Sequence, residues 1–267
     1  MNPVECPALS SMIKALNDNG IWISTFTGKF EKAIERKDSN SIQLVIRLGY
    51  FATRIRMLKV HQEIEIFERS RIALGTYASI YGVSLKGWSY AIKSQRIKET
   101  DRLIYNESLR SILKEYFFYR LASTLEFGPR LPNIFGYDIV CYNDAIEFAM
   151  ELCEHGLGDE KESFGEDLFE GMKKMHTLKM VHRDIKKENV AWSPHFRKWV
   201  FLDFGFATFL KEEIGRKSTT NFIGTYRNTT EELQRLYLLK EPGQVDFYYN
   251  DLFGLRKVVG NLKAELK

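Results

Sequence analysis

The sequence predicts an α+β fold, and three observations carry that expectation. Alternating apolar and polar residues over 64–74, 80–85 and 89–94, followed by 133–142 and 145–150, read as strands. Apolar residues recur at helical spacing over 109–124, 164–180 and 251–262. With 267 residues, 44% hydrophobic and 28% charged, the chain has the composition of a globular protein. At that length ~75% of the unfolded surface is expected to go inside.

The same composition excludes several classes. The net charge of +4 is spread, without a run of five or six like charges, and points to no nucleic-acid partner. Cys6, Cys141 and Cys153 have no C-x-x-C spacing, which argues against a disulfide framework or a zinc site and for a reducing compartment. No apolar run follows a basic start, and no stretch of 18 apolar residues occurs. Neither a secretory signal nor a membrane span is therefore expected, and the location predicted is intracellular, cytoplasmic or nuclear.

Residues 1–64 read as a helical extension. Ser10–Leu16 opens a short helix that Asn19-Gly20 would end, and Phe30, Ala33 and Ile34 mark a second. After the polar break Asp38–Ser41, Leu44, Val45, Leu48, Phe51, Ala52 and Ile55 predict a longer helix from Ile42 to about Val60. The apolar stripe of this hairpin either packs on the rest of the chain or docks a regulatory partner.

The chemistry gathers in Val181-His182-Arg183-Asp184-Ile185-Lys186-Lys187-Glu188-Asn189, followed fourteen residues later by Asp203-Phe204-Gly205. Phosphoryl transfer needs a carboxylate beside the attacking hydroxyl and hard oxygen ligands for Mg²⁺. Asp184 suits the first role, and Asn189 and Asp203 the second. An isolated aspartate is a weak base for an alcohol, so the role of Asp184 is mainly positional. The two blocks resemble the eukaryotic protein-kinase family, whose catalytic loop reads H-R-D-x-x-x-x-N and is followed by D-F-G.

The resemblance covers residues 65–262 and implies a two-lobed kinase-like fold. Residues 65–153 would form a small antiparallel sheet lobe and hinge. Residues 154–267 would form a mainly helical large lobe, truncated after its central helix. It also implies ATP and Mg²⁺ as cofactors and a protein substrate. In Gly75-Thr76-Tyr77-Ala78-Ser79-Ile80, Gly75 stands at the second glycine of the family's Gly-rich loop and Ile80 at its valine. Ala73 and Ala78 replace the other two glycines, a departure that weakens the loop. Ala91-Ile92-Lys93 resembles V-A-I-K, with Lys93 reaching phosphates and Ala91 facing adenine. The helix glutamate that pairs with this lysine is assigned to Glu115, with Glu107 as second choice. Met150 takes the gatekeeper position, and Glu151-Leu152-Cys153 the hinge.

In the large lobe, Lys186 would neutralise charge on the transferring phosphoryl group. Thr225 matches the family threonine that bonds near the catalytic aspartate and lysine. Both favour serine or threonine as acceptor. Thr220 is the candidate phosphosite of an activation loop running from Phe206 to Asn228, and Arg183 its receiver. Phe204 is expected to pack under the regulatory helix, His182 to pack in the core, and Asp251 to tie the central helix to the catalytic-loop backbone. Thr230 and Glu231 replace the Ala-Pro of A-P-E, while Glu232 keeps the acid; the arginine partner of that acid lies on a later helix in the family. Three functions follow: an active serine/threonine kinase, a weak pseudokinase acting as a scaffold, or a small-molecule phosphotransferase of related fold, against which the Thr225 segment and Arg183 weigh. Some compact effector kinases share the short large lobe, which would place the protein in a host cytosol.

Overall fold

The computed structural model describes residues 43–48, 51–57, 69–74, 78–85, 87–96, 102–132, 139–142, 145–156, 163–210, 216–219, 224–239 and 243–265. The described residues divide into two compact units, one reaching Phe117 and including Arg130–Leu152, the other comprising Phe118–Pro129 and everything from Cys153 on.

The first unit is built on a seven-stranded sheet. Its strands are β1 (Gln43–Leu48), β2 (Phe51–Met57), β3 (Arg69–Leu74), β4 (Ser79–Leu85), β5 (Trp88–Arg96), β6 (Ile139–Tyr142) and β7 (Ala145–Glu151). The order is β1-β2-β6-β7-β5-β4-β3, antiparallel throughout except for the β2–β6 pair. Strand β5 lies between β4 and β7, and Ile92 on it is fully enclosed. The β-branched and aromatic residues of Ile92, Ile146 and Phe148 suit such a doubly flanked strand. Helix α1 (Arg102–Thr124) carries Ile112, Tyr116 and Phe117 into this unit, and Tyr116 meets Phe148 edge-on with centroids 5.3 Å apart.

The predicted helix from Ile42 to Val60 is not found: β1 and β2 stand there as an antiparallel pair, in register from Gln43↔Arg56 to Leu48↔Phe51. The segment fits both periods. Leu44, Ile46 and Leu48 also alternate, and Val45, Ile46, Thr53 and Ile55 are β-branched. What decides is the edge of β6, which β2 joins in parallel and so extends the sheet. The shorter helices expected before residue 42 lie outside the described residues.

The second unit is mainly helical. Helices α2 (Phe164–Thr177), α3 (Glu231–Leu239) and α4 (Phe247–Glu265) are joined by three two-stranded ribbons. These pair β8 (Met180–Val181) with β11 (Thr208–Phe209), β9 (Val190–Ser193) with β10 (Lys198–Phe201), and β12 (Arg216–Thr219) with β13 (Gly243–Asp246). Leu168, Met172 and Met175 of α2 are buried at the spacing the sequence predicted. Gly171 lets α2 pack closely, since a Cβ there would stand 3.1 Å from Phe127 and 3.2 Å from the Phe201 ring. Val181, Leu210, Leu233, Val245 and Phe247 form a further cluster that joins the ribbons to α3 and α4. Among the described residues, no helix is long and apolar enough to cross a membrane.

Candidate active site

In the first unit the candidate residues lie on one face of the sheet. The register sets Ile80 opposite Lys93, and Lys93 opposite Phe148. Two residues along, Gly82 faces Ala91 and Ala91 faces Met150. Cross-strand partners and residues two apart share a face, so Ile80, Ala91, Lys93 and Met150 line the same surface. Gly82, which the sequence reading passed over, keeps that surface low beside Ala91. Lys93 is buried and its ammonium donates to the Glu115 carboxylate on α1, an ion pair across strand and helix. The side chain of Glu107 and all of Gly75 lie outside the described residues.

The opposite face holds a second ion pair, half-buried Arg69 with buried Glu147, where one guanidinium nitrogen donates at 2.9 and 3.1 Å to the two carboxylate oxygens. Glu151 closes β7: its N–H donates to Arg130 O at 2.8 Å and its carboxylate accepts from Arg130 N–H at 3.1 Å.

In the second unit the centre is Asp184, buried in the loop between β8 and β9. The Thr225 hydroxyl donates to Asp184 Oδ1 at 2.7 Å. Lys186 Nζ donates to Oδ2 at 2.8 Å and to the Thr225 hydroxyl at 3.2 Å. Asn189 Nδ2 donates to Asp184 Oδ2 at 3.0 Å and to its backbone carbonyl at 2.9 Å. One carboxylate thus gathers three of the residues that the sequence singled out. The Asn189 amide nitrogen thus donates inward, toward Asp184.

Asn189 sits at the end of a 3-10 turn, Lys187–Asn189, and its carbonyl accepts from Leu202 N–H at 2.8 Å. That bond sets the chain for Asp203, the next residue. Asp203 has φ +57° and ψ 71°, a left-handed conformation that aspartate tolerates better than most residues. Its N–H donates to the Tyr119 hydroxyl at 2.8 Å. Tyr119 was not foreseen as a site residue; within α1 it is one apolar-face aromatic among several. Phe204 is fully buried, edge-on to Tyr119 at 5.0 Å and beside His182 at 5.2 Å.

The loop itself is pinned from below by α4. Asp251 accepts from His182 N–H at 2.7 Å and from Arg183 N–H at 2.8 Å. The tie from the central helix to the loop backbone that the resemblance implied is thus present. His182 accepts at Nδ1 from Asp184 N–H at 3.3 Å and lies 2.9 Å through Nε2 from Leu202 O, which its Nε2–H tautomer satisfies. It is a core residue with both nitrogens partnered. Arg183, at φ +69°, is buried; its Nε donates to Phe206 O at 2.6 Å and its guanidinium lies 5.6 Å from the Phe247 ring centroid. Burial pushes this guanidinium down to about 10, opposed by the charge of Asp251, so it stays charged at neutral pH. Thr220 lies outside the described residues. Cys153 is half-buried. Among the described residues no three His, Cys, Asp or Glu side chains gather as a metal site of their own.

Comparison with known proteins bears on the family of the chain. The family model described as protein kinase domain matches residues 70–235. The chain is 25% identical over 154 residues to the mitogen-activated protein kinase kinase kinase nsy-1 of Caenorhabditis elegans, covering 52% of this chain and 10% of that protein. It is 28% identical over 169 residues to the serine/threonine-protein kinase mig-15 of the same organism, covering 57% of this chain and 15% of that protein. It is 27% identical over 95 residues to the cell cycle protein kinase spo4 of Schizosaccharomyces pombe, covering 36% of this chain and 18% of that protein. The chain therefore spans less than a fifth of the length of each of these relatives.

Proposed function

The chain belongs to the protein kinase family, and within it we propose an active enzyme that transfers the γ-phosphate of ATP to serine or threonine hydroxyls of protein substrates. The observation that carries this reading is the set of bonds around Asp184, made by Lys186, Asn189 and Thr225. In the proposed reaction the acceptor oxygen forms a bond to the γ-phosphorus as the bond to the β,γ-bridging oxygen breaks. The acceptor proton passes to Asp184, which orients the hydroxyl until charge develops. Lys186 offsets charge on the transferring group, and its link to Thr225 supports serine or threonine as the acceptor.

ATP and Mg²⁺ are general requirements of the family. Asn189 and Asp203 fit the ion, since each offers a hard oxygen and Mg²⁺ keeps its remaining positions for water and phosphate. Bound there, the ion would neutralise phosphate charge. Lys93, held by Glu115, is assigned to the α- and β-phosphates, with Gly75, Ile80, Ala91, Met150, Glu151 and Cys153 around the nucleotide. In this reading residues 65–153 act as the small lobe and 154–267 as the large lobe. The location proposed is intracellular, and residues 1–64 remain the candidate docking segment for a regulatory partner. Phosphate on Thr220 would be received by Arg183.

The test is transfer of radiolabelled phosphate from Mg·ATP to casein by the wild type, Asp203→Ala and Lys93→Ala. Transfer by the wild type that both variants lose supports the reading. A wild type with no transfer and no nucleotide-induced rise in Tm overturns it. A wild type that binds nucleotide without transfer favours the scaffold reading, for which Ala73 and Ala78 in the phosphate loop speak.

A further inference from the structure

The hydroxyl of Thr225 reaches Asp184 only if the backbone carrying it is held. That backbone is short and polar. Thr225 leads into the 3-10 turn Tyr226–Asn228, then into Thr229, Thr230 and helix α3. Its inner end is tight: Gly224 has φ +108°, and a Cβ there would stand 2.4 Å from Arg183 O. Its outer end, in the A-P-E position, has lost Ala-Pro, and Glu232 is exposed.

Two side chains converge on that outer end. Asn250 of α4 is buried at 3% exposure, and its Oδ1 accepts from Thr230 N–H at 3.0 Å. Gln234 of α3 turns back on the start of its own helix, where Nε2 donates to Tyr226 O at 2.8 Å and to Thr229 O at 2.9 Å. Lys257 adds a more exposed bond to Arg227 O at 2.7 Å. Tyr226, Arg227, Thr229 and Thr230 thus each have a backbone polar group bonded to a side chain. Asn250 also neighbours Asp251, which holds the catalytic loop. Adjacent residues of one helix therefore grip both strands of chain that must be in register: the loop bearing Asp184 and the segment bearing Thr225. A close approach at Gly254, where a Cβ would meet Ile185 O at 2.9 Å and Asn228 O at 3.3 Å, keeps both segments against α4.

We propose that Asn250 and Gln234 are positioning residues that set the acceptor-side segment 224–230 against Asp184. The consequence for turnover rests on the kinase reading; the grip itself does not. Asn250 matters as a hydrogen-bond acceptor, since a buried N–H left without a partner is unfavourable. Asn250→Leu keeps the branching and heavy-atom count and removes the acceptor, whereas Asn250→Asp keeps the acceptor.

The experiment compares wild type, Asn250→Leu, Asn250→Asp and Gln234→Ala in two readouts. The first is kcat and KM for Mg·ATP with casein. Asn250→Leu is expected to lower kcat on the order of 10- to 100-fold with KM for ATP unchanged, since misplacement of a reacting group lowers turnover by such factors. Asn250→Asp should restore most of it, and Gln234→Ala should fall between. The second is amide hydrogen exchange over 224–230, which should rise in Asn250→Leu and Gln234→Ala and stay near wild type in Asn250→Asp. Equal kcat in the Leu variant and wild type overturns the proposal, as does unchanged exchange over 224–230. If the wild type transfers no phosphate, the kinase reading falls and the exchange readout alone decides the grip. If Asn250→Leu does not fold, Gln234→Ala decides on the same two readouts.

Discussion

Each unit contains a buried charged constellation, and the two are built differently. In the first, Lys93 on a strand meets Glu115 on a helix, 22 residues apart in the chain. In the second, Asp184 collects Lys186 and Asn189 from its own loop and only Thr225 from afar. The first pair depends on how a sheet and a helix pack. The second is largely written into one turn, then locked by backbone bonds to Asp251. A pair that depends on packing is exposed to the cost of an unmatched buried charge. A local network can lose one member and keep its shape, so its failures are expected in rate before stability.

The sharpest contrast is therefore Asp184→Asn against Lys93→Met. Asp184→Asn keeps the volume and should lower kcat ~10²- to 10⁴-fold with a small change in Tm, measured by phosphate transfer and thermal melting. Removal of Mg²⁺ by EDTA should abolish transfer, and excess Mg²⁺ should restore it. Lys93→Met should instead lose about 3–5 kcal/mol in urea denaturation, because the Glu115 carboxylate stays buried after losing the Lys93 charge. The double variant Lys93→Met/Glu115→Leu should recover part of that loss. If the single and double variants are equally unstable, the pair is not the stabilising unit described.

Gly224→Ala comes next, at about 2–3 kcal/mol, since both the positive φ and the Arg183 carbonyl oppose a methyl group. Gly254→Ala should lose about 1–2 kcal/mol, as the obstructing atoms are backbone oxygens on two segments. At the bottom, Lys198→Ala removes a 3.3 Å pair with Glu126 between side chains 33% and 50% exposed. Its effect should stay within ~0.5 kcal/mol and shrink further in high salt.

Legibility followed the same division. The strands at 79–85, 88–96 and 145–151 and helix α2 were legible because their periods are unambiguous. The stretch from Gln43 to Met57 was misread, because a short apolar run fits both periods and a sheet edge decided it. Helix α3 and strand β13 carried no signal strong enough to be read ahead. Asp184, Asn189 and Asp203 could be named from the chain because their spacing is a motif. Tyr119, Asn250 and Gln234 could not, since a tyrosine, an asparagine and a glutamine in polar or amphipathic runs look alike wherever they are.

By itself the sequence determined which carboxylates, amide and lysines the loops carry, and in what order. Local spacing is enough for that, because residues two to five apart in a tight loop are forced to be neighbours. Tertiary structure alone decided how other groups are held: Asp203 by Tyr119, and the Thr225 segment by Asn250 and Gln234. Those partners lie up to 84 residues away, and only the packing of helices against loops gives them their direction.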